Sequence, residues 1–164
     1  MSKKSDKKAA AKAGHTLICQ NRRALHNFAI DERLEAGVVL VGTEVKALRA
    51  GKAHLNDAYV QIIKGEAMLI GGNIAEYSHG NQFNHAPVRT RKLLLHRRQI
   101  DKIYSRVHEK GYTAVALSMY FNAAGRVKVE IGVGRGKTDV DRRVDIKARE
   151  ARREIDRVMR RNSR

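Results

Sequence analysis

The sequence contains few of the residues from which metal centres, disulfide frameworks and nucleophilic sites are built. Its 164 residues include one cysteine, one proline and no tryptophan. Cys19 alone cannot form an internal disulfide, which fits a reducing cytoplasm, and it cannot complete a zinc site. The seven histidines show no paired helical spacing, and no Ser-His-Asp or Cys-His arrangement stands out. The sequence therefore predicts no metal, no cofactor and no enzyme.

Acidic residues and long hydrophobic runs are scarce as well. No apolar run reaches the length of a membrane-spanning helix, and no hydrophobic segment resembling a signal peptide follows the basic N-terminus. Lysine and arginine number 34 against 17 aspartates and glutamates, a formal charge of +17. Such an excess in a short chain indicates a polyanionic partner. With no membrane segment, we expect nucleic acid in the cytoplasm.

Composition divides the chain into three parts. Residues 1–14 hold five lysines, one aspartate and no large apolar residue after Met1, so we predict a disordered basic tail. Residues 15–134 show the periodicity of a folded domain. Residues 135–164 form an arginine-rich tail: from Lys137 onward there are eleven Lys or Arg and six acids, with no aromatic residue.

Strand patterns dominate the middle part. Strands are predicted at Thr16–Cys19, at Tyr59–Ile63 and at Ala67–Ile70, the last two forming a hairpin. Two alternating strands come later. One is predicted to place four side chains on a single face, Val115, Leu117, Met119 and Phe121; the other turns Val127, Val129, Ile131 and Val133 inward and Lys128 outward. The pattern supports an antiparallel barrel or an α+β sandwich.

Residues 36–63 form the centre of the domain. The apolar run Val38–Val41 predicts a buried strand, and a short helix should follow, with Thr43 as its N-cap and Gly51 just past its end. Lys46 and Arg49 share one helical ridge, and Lys52 follows. Three cations at the rim of a sheet are well placed to contact phosphates.

Three further segments have distinct patterns. Residues 71–88 read as a loop with Tyr77, His79, Phe83 and His85, able either to stack on bases or to fold back on the surface. A helix is predicted from about Arg97, with Ile100, Ile103, Tyr104 and Val107 on one face and residues 110–111 closing it. The segment GVGRGK at 132–137 lacks the Walker spacing and predicts a flexible hinge before the tail.

The tail itself allows three interpretations. Small or apolar residues recur close to a heptad rhythm, from Val140 to Met159. The segment could be a lone helix, a weak coiled-coil arm, or a tail that is disordered until it meets RNA. Since the chain has no second heptad repeat with which this segment could form a coiled coil, we predict that the tail folds when it binds RNA.

Several motifs in order resemble one family. The stretch GTEVKALRAGK at 42–52 resembles a segment of small protein B (SmpB), the SsrA-binding protein of bacterial trans-translation. The resemblance extends to Asn21–Ala24 with His26, to Glu35–Gly37, to Arg89–Leu95, and to Gly136-Lys137 with Asp141–Arg143. It covers everything except about the first dozen residues, and it narrows the fold to a mainly β, OB-like antiparallel barrel with short flanking helices.

The resemblance also implies a function and a set of partners. In that family the barrel binds the tRNA-like domain of transfer-messenger RNA, and the tail enters the decoding centre and empty messenger channel of a stalled ribosome. The resemblance implies three partners: transfer-messenger RNA, the small ribosomal subunit with its RNA, and elongation factor Tu. It also implies that the protein is a monomer and not an enzyme. The tail residues expected at the decoding centre are Gly136, Lys137, Asp141, Arg142 and Arg143.

The RNA-binding residues come partly from charge and partly from the resemblance. Basic and polar groups at strand ends, turns and helix faces suit RNA contact. Electrostatics does not select Glu35 or Leu94, which the resemblance places, with Lys128, on the RNA-binding side. The full predicted set is Asn21, Arg22, Arg23, His26, Glu35, Lys46, Arg49, Lys52, Arg89, Arg91, Lys92, Leu94 and Lys128.

Departures and alternatives accompany this interpretation. The family's usual Gly-Lys-Lys is Gly136-Lys137-Thr138 here, and Val140 replaces the usual His or Tyr, so we expect the decoding-centre contacts from Lys137, Arg142 and Arg143. Two other classes are considered. One is a general OB-type RNA-binding or ribosome-assembly protein; the other is an RNA-modifying or RNA-cleaving enzyme using His26 and Glu35 as acid and base.

Overall fold

The computed structural model describes residues 14–80, 82, 84–109 and 111–162. The predicted disordered tail therefore lies outside the described residues except for Gly14, as do Phe83 and Lys110. The strands are β1 (Thr16–Gln20), β2 (Phe28–Val38), β3 (Ala53–His54), β4 (Tyr59–Ile63), β5 (Glu66–Ile70), β6 (Asn73–Ile74), β7 (Arg91–Leu94), β8 (Tyr112–Phe121) and β9 (Val127–Gly136). The helices are α1 (Arg22–Asn27), α2 (Gly42–Arg49), α3 (Arg97–His108) and α4 (Asp139–Asn162).

Seven strands form one antiparallel sheet, in the order β1-β8-β4-β5-β7-β2-β9, and β9 pairs a second time with β8. Strands β3 and β6 form a separate two-stranded sheet. The main core lies inside the larger sheet and is built from residues such as Leu69, Leu93, Ile103 and Ile131. The predicted class, mainly β with helices, is confirmed.

The β4–β5 hairpin forms as its sequence predicts. Ile63 pairs with Glu66, so the turn is the two residues Lys64 and Gly65. Both have positive φ, +50° and +76°, the backbone of a type I′ turn, whose twist matches that of the flanking strands.

The predicted single face of β8 is wrong because the strand contains a bulge. The register with β9 shifts between Ala116 and Ser118. Val115 and Leu117 therefore pack in a small cluster against α1 and the start of β2, whereas Met119 packs in the main core. One extra residue moves every later side chain to the opposite face.

The predicted hinge at 132–137 is also wrong, because these glycines lie within β9. Gly134 pairs with Ile30 of β2 and with Thr113 of β8. A Cβ atom on Gly134 would lie 2.0 Å from the carbonyl oxygen of Ala29, so only glycine allows the strands to approach this closely. The glycines let β9 pack closely between β2 and β8, and the strand runs to Gly136.

Two local predictions around α2 need correction. The strand β2 ends at Val38, and Val39 and Val41 are exposed, so Val38–Val41 is not a buried strand. The helix α2 begins two residues earlier than predicted, with Val41 instead of Thr43 as N-cap, and the Thr43 hydroxyl contacts His85 Nδ1 at 3.0 Å. Gly51 follows the end of α2 with φ +71°, as predicted.

The helix α3 ends at His108, and its face differs from prediction at one position. Ile103 is fully buried, but Tyr104 is about half exposed and its ring lies 4.0 Å from that of His108. Tyr104 therefore belongs to the surface.

The tail is a single long helix, α4, whose described side chains are mostly exposed. Whether the tail is disordered in the free protein stays a prediction. Within the described part of the chain, no helix carries an apolar stretch of membrane-spanning length.

Candidate nucleic-acid interface

The helix α2 and the residues just after it present a row of exposed cations. Ala47 and Leu48 are buried, which turns Lys46 and Arg49 outward, and Lys52 is exposed just beyond the helix. The position of Lys52 is fixed by its backbone, because its N–H donates to Ala47 O at 3.1 Å. All three side chains are exposed, and their contact with RNA stays a prediction.

A buried ion cluster underlies this helix. The carboxylate of Glu44 accepts hydrogen bonds from Arg89 Nε at 2.7 Å and Nη2 at 2.6 Å, and from Arg91 Nε at 2.8 Å. It also accepts from Val41 N at 2.9 Å, at the start of α2. Burial raises the pKa of Glu44, but these hydrogen bonds and the Arg91 charge outweigh it, so the pKa lies below its usual value. Glu44 is therefore ionised and joins α2 to β7.

The two arginines of this cluster differ in what they offer to a ligand. The Arg91 side chain is fully buried and also donates to Gly72 O at 2.6 Å and to Pro87 O at 3.1 Å. The Arg89 side chain is 31% exposed, so part of its guanidinium reaches the surface. Arg91 thus anchors the 71–88 segment from inside, which the prediction of an RNA contact did not foresee.

The predicted residues around α1 also divide into a buried residue and exposed ones. Asn21 is buried; its Nδ2 donates to Leu55 O at 2.5 Å and to Ala116 O at 3.0 Å, and its Oδ1 accepts from Ala24 N at 2.9 Å. It caps α1 and joins it to the sheet. Arg22, Arg23 and His26 are exposed on that helix.

A third group of predicted residues lines one cleft of about 550 Å³. Glu35, Lys92, Leu94 and Lys128 meet there, although they come from three different strands. Leu94 is 54% exposed, so it is not a core leucine. The cleft also contains Glu66, which pairs with Lys92 at 2.5 Å, so its charge is mixed.

Glu35 in this cleft is held by two neighbours. Tyr120 donates its hydroxyl proton to the Glu35 carboxylate, and Lys128 Nζ lies 3.4 Å from Oε1. The Tyr120 hydrogen bond, together with the Lys128 charge, lowers the pKa of Glu35, while burial and the carboxylate raise that of Tyr120. Tyr120 is a partner of Glu35 that sequence reasoning missed, because the alternation of β8 does not show a contact with a side chain on β2.

The predicted tail residues occupy the junction between β9 and α4. Lys137 donates its backbone N–H to Asn27 O at 2.7 Å, and its Nζ lies 2.5 Å from Asp145 Oδ2. Asp141 accepts from the Thr138 hydroxyl at 2.7 Å. Gly136 ends β9, and Arg143 is exposed on the first turn of the helix.

The acid–base pair of the enzyme alternative is not assembled. His26 lies on α1 before β2, and Glu35 lies seven residues into that strand, roughly 23 Å along an extended chain. Burial raises the pKa of the Cys19 thiol to about 11, which keeps it protonated at neutral pH. Among the described residues, no group of three His, Cys, Asp or Glu side chains is arranged to hold a metal ion.

The exposed cations, held by a buried ion cluster on a mainly β domain, define a protein suited to bind a polyanion. The model of the SmpB protein family matches residues 18–161. The chain belongs to the SmpB family.

Individual relatives agree with this assignment. An SsrA-binding protein of Desulforamulus reducens is 48% identical over 153 residues, 93% of this chain and 95% of the relative. An SsrA-binding protein of Pelobacter propionicus is 50% identical over 151 residues, which are 92% of this chain and 99% of the relative. A solved structure named "tmRNA-SmpB: a journey to the center of the bacterial ribosome" is 44% identical with a TM-score of 0.62, covering 73% of this chain and 84% of that chain.

Proposed function

We propose that this protein binds transfer-messenger RNA through its tRNA-like domain and delivers it to stalled ribosomes in trans-translation. The observation that carries the proposal is the exposed row Lys46, Arg49 and Lys52 on a helix fixed from below by Glu44. The names of the relatives, SsrA-binding protein, and of the solved neighbour, which mentions tmRNA and the ribosome, supply the identity of the RNA.

The β domain is proposed to be an OB-like barrel. The second pairing of β9, with β8, gives a cycle of neighbours β8-β4-β5-β7-β2-β9 that supports closure. A closed sheet leaves few free edges and gives a rigid support for side chains that recognise the shape of a folded RNA.

The RNA contacts are assigned to exposed groups around this barrel. They are Arg22, Arg23 and His26 on α1, Lys46, Arg49, Lys52 and Arg89 at α2, and Glu35, Lys92, Leu94 and Lys128 in the cleft. Asn21 and Arg91 act from inside, by fixing α1 and the 71–88 segment. Recognition is then mainly of backbone and shape, as expected where base edges are paired.

The tail has a separate role in this proposal. Its arginine-rich helix enters the decoding centre and empty messenger channel of the small subunit, where phosphates offset the entropy of ordering it. Elongation factor Tu takes part in delivery, the protein acts as a cytoplasmic monomer, and the alanylation and peptide transfer belong to other components. The protein itself positions RNA and carries out no catalysis.

A charge-matched pair of variants tests the RNA-binding surface. Lys46→Ala, Arg49→Ala and Lys52→Ala together should weaken binding to the tRNA-like domain and lower the slope of log affinity against log salt by about 2 to 3. The control removes three exposed arginines elsewhere, Arg98, Arg106 and Arg126, with the same change in net charge. Equal losses in both variants would show that net charge alone drives binding.

Truncation tests the division of labour between barrel and tail. A chain ending at Lys137 keeps all of β9 and the backbone hydrogen bond to Asn27. It should bind the isolated tRNA-like domain nearly as well as the full chain but fail to support tagging of stalled peptides. Loss of both activities in this folded variant would contradict the division.

A further inference from the structure

The segment between β6 and β7 carries an aromatic pair for which the proposed function has no role. The ring centroids of Tyr77 and His79 lie 5.4 Å apart with their planes tilted by 48°. His79 is exposed and Tyr77 is half-buried. An aromatic surface open to solvent is the group on which proteins stack unpaired RNA bases.

The backbone of Tyr77 is fixed independently of its ring. The Asn84 side chain accepts from Tyr77 N at 2.9 Å and donates to Tyr77 O at 2.7 Å. Gly80 N donates to the same carbonyl at 2.9 Å. Because three hydrogen bonds hold the backbone, the point from which the Tyr77 side chain leaves the main chain is fixed before any ligand arrives, which reduces the entropy cost of binding.

The pair adjoins the basic face of α2. Lys46 Nζ lies 5.4 Å from the centroid of the Tyr77 ring, in a cation–π contact. Ala75 N, two residues before Tyr77, donates to Lys52 O at 3.0 Å. A nucleotide presents a charged phosphate next to a flat base, and here the exposed cation of Lys46 lies next to an aromatic ring.

We propose that Tyr77 and His79 form a stacking site for one unpaired RNA base, with a neighbouring phosphate held by Lys46. This site rests on the proposed function, because that function makes RNA the ligand. It adds a preference for RNA containing an unstacked base, which cation contacts alone do not provide. The base could come from the tRNA-like domain or from ribosomal RNA, since both offer unpaired nucleotides.

Two substitutions separate stacking from other roles of the tyrosine. Tyr77→Leu removes the aromatic face, and Tyr77→Phe keeps it while losing the hydroxyl. Each full-length variant is titrated against the tRNA-like domain, an unstructured single strand, a plain duplex and isolated small ribosomal subunits. Stacking on one base predicts about a ten-fold loss for Tyr77→Leu, with Tyr77→Phe near wild type and duplex binding unchanged. His79→Leu, at an exposed side chain, supplies a second variant if Tyr77→Leu does not fold.

The outcomes distinguish the site from the function on which it rests. A loss on the tRNA-like domain or the small subunits supports the site and shows which RNA supplies the base. Unchanged binding by both Leu variants, or an equal loss on duplex, would overturn it. If the wild-type protein binds duplex and tRNA-like domain alike, the proposed function fails, while a loss confined to the single strand would still support stacking.

Discussion

At the residue scale, Glu44 is a buried carboxylate with four donors around it. Two arginine side chains and the backbone N–H of Val41 surround its oxygens, and it joins α2 to β7. Removing one partner of a buried ion pair leaves the other charge without compensation, which costs far more than losing an exposed pair. The exposed cations of α2 therefore depend on a residue that no RNA would touch.

Replacing Glu44 should unfold the protein more easily. We expect Glu44→Gln to lower the free energy of unfolding by about 3–5 kcal/mol, because the Arg91 charge stays buried without a carboxylate. Urea denaturation followed by circular dichroism measures this. The control is Glu66→Gln, which breaks an exposed pair with Lys92 and should cost about 0–1 kcal/mol. Similar costs for the two variants would contradict the role of Glu44.

The same carboxylate predicts a pH dependence. The pKa of Glu44 is lowered in the folded protein, so its contribution to stability is complete above the unfolded pKa, about 4.3. The contribution is lost as the pH falls from there through the folded pKa. The free energy of unfolding is measured from about pH 3 to about pH 6, a range that spans the unfolded glutamate pKa of about 4.3. It should fall on acidification more steeply for wild type than for Glu44→Gln. Parallel curves would show that Glu44 does not contribute.

At the scale of elements, two glycines of β9 give a matched comparison. A Cβ on Gly134 would meet backbone atoms of Ala29 and Ile30, whereas one on Gly136 would meet no atom within 4 Å. Gly134→Ala should therefore cost about 1–3 kcal/mol or more through strand separation, and Gly136→Ala within about 0.5 kcal/mol. Thermal unfolding of both variants measures the difference. Equal melting temperatures would mean that β2 and β9 do not pack as described.

The start of α4 carries a reciprocal pair of hydrogen bonds. Thr138 N donates to Asp141 Oδ2 at 3.1 Å, and Asp141 N donates to Thr138 Oγ1 at 3.3 Å. Thr138 is one of the two positions, with Val140, at which this chain departs from the usual family motif, and this departure supplies a helix cap.

Removing that cap should reduce the helicity of the tail. Thr138→Ala is expected to lower the far-ultraviolet helical signal of the full chain, while Thr138→Ser, which keeps the hydroxyl, should not. Hydrogen bonds from Thr138 lower the pKa of Asp141, so the cap is complete above the usual carboxyl pKa and weakens as the pH falls below it. A helical signal that is the same in all three proteins would show that the cap does not control the tail.

The elements that the sequence predicts well are those fixed by local rules. The β4–β5 hairpin and the end of α2 follow from a turn and a C-cap glycine, which act within a few residues. The packing of Leu117 against α1 and β2, and of Gly134 against β2, depends on residues about 90 to 105 positions away in the chain, so no local pattern shows it. A glycine-rich run was interpreted as a hinge because its partners, Ala29 and Ile30, are visible only in the fold.

At the scale of the whole molecule, the sequence predicts which charged residues belong to the candidate site, but not which of them are buried. Basic residues at strand ends and helix faces are found there, and the cleft brings Glu35, Leu94 and Lys128 together. Sequence spacing could not show that Asn21 and Arg91 point inward, because both are polar residues beside exposed ones. The separation between contact residues and residues that fix them is a property of the packed core.

The most direct test of the central proposal is a competition titration of the full-length protein over a series of salt concentrations. The ligands are the tRNA-like domain of transfer-messenger RNA, bulk tRNA and a plain duplex. With roughly six phosphates neutralised, the affinity for all three should fall steeply with salt. The account predicts that the tRNA-like domain stays well ahead of the other two near physiological salt. Equal affinities that fall in parallel would contradict it, and would leave the +17 charge as the whole basis of binding.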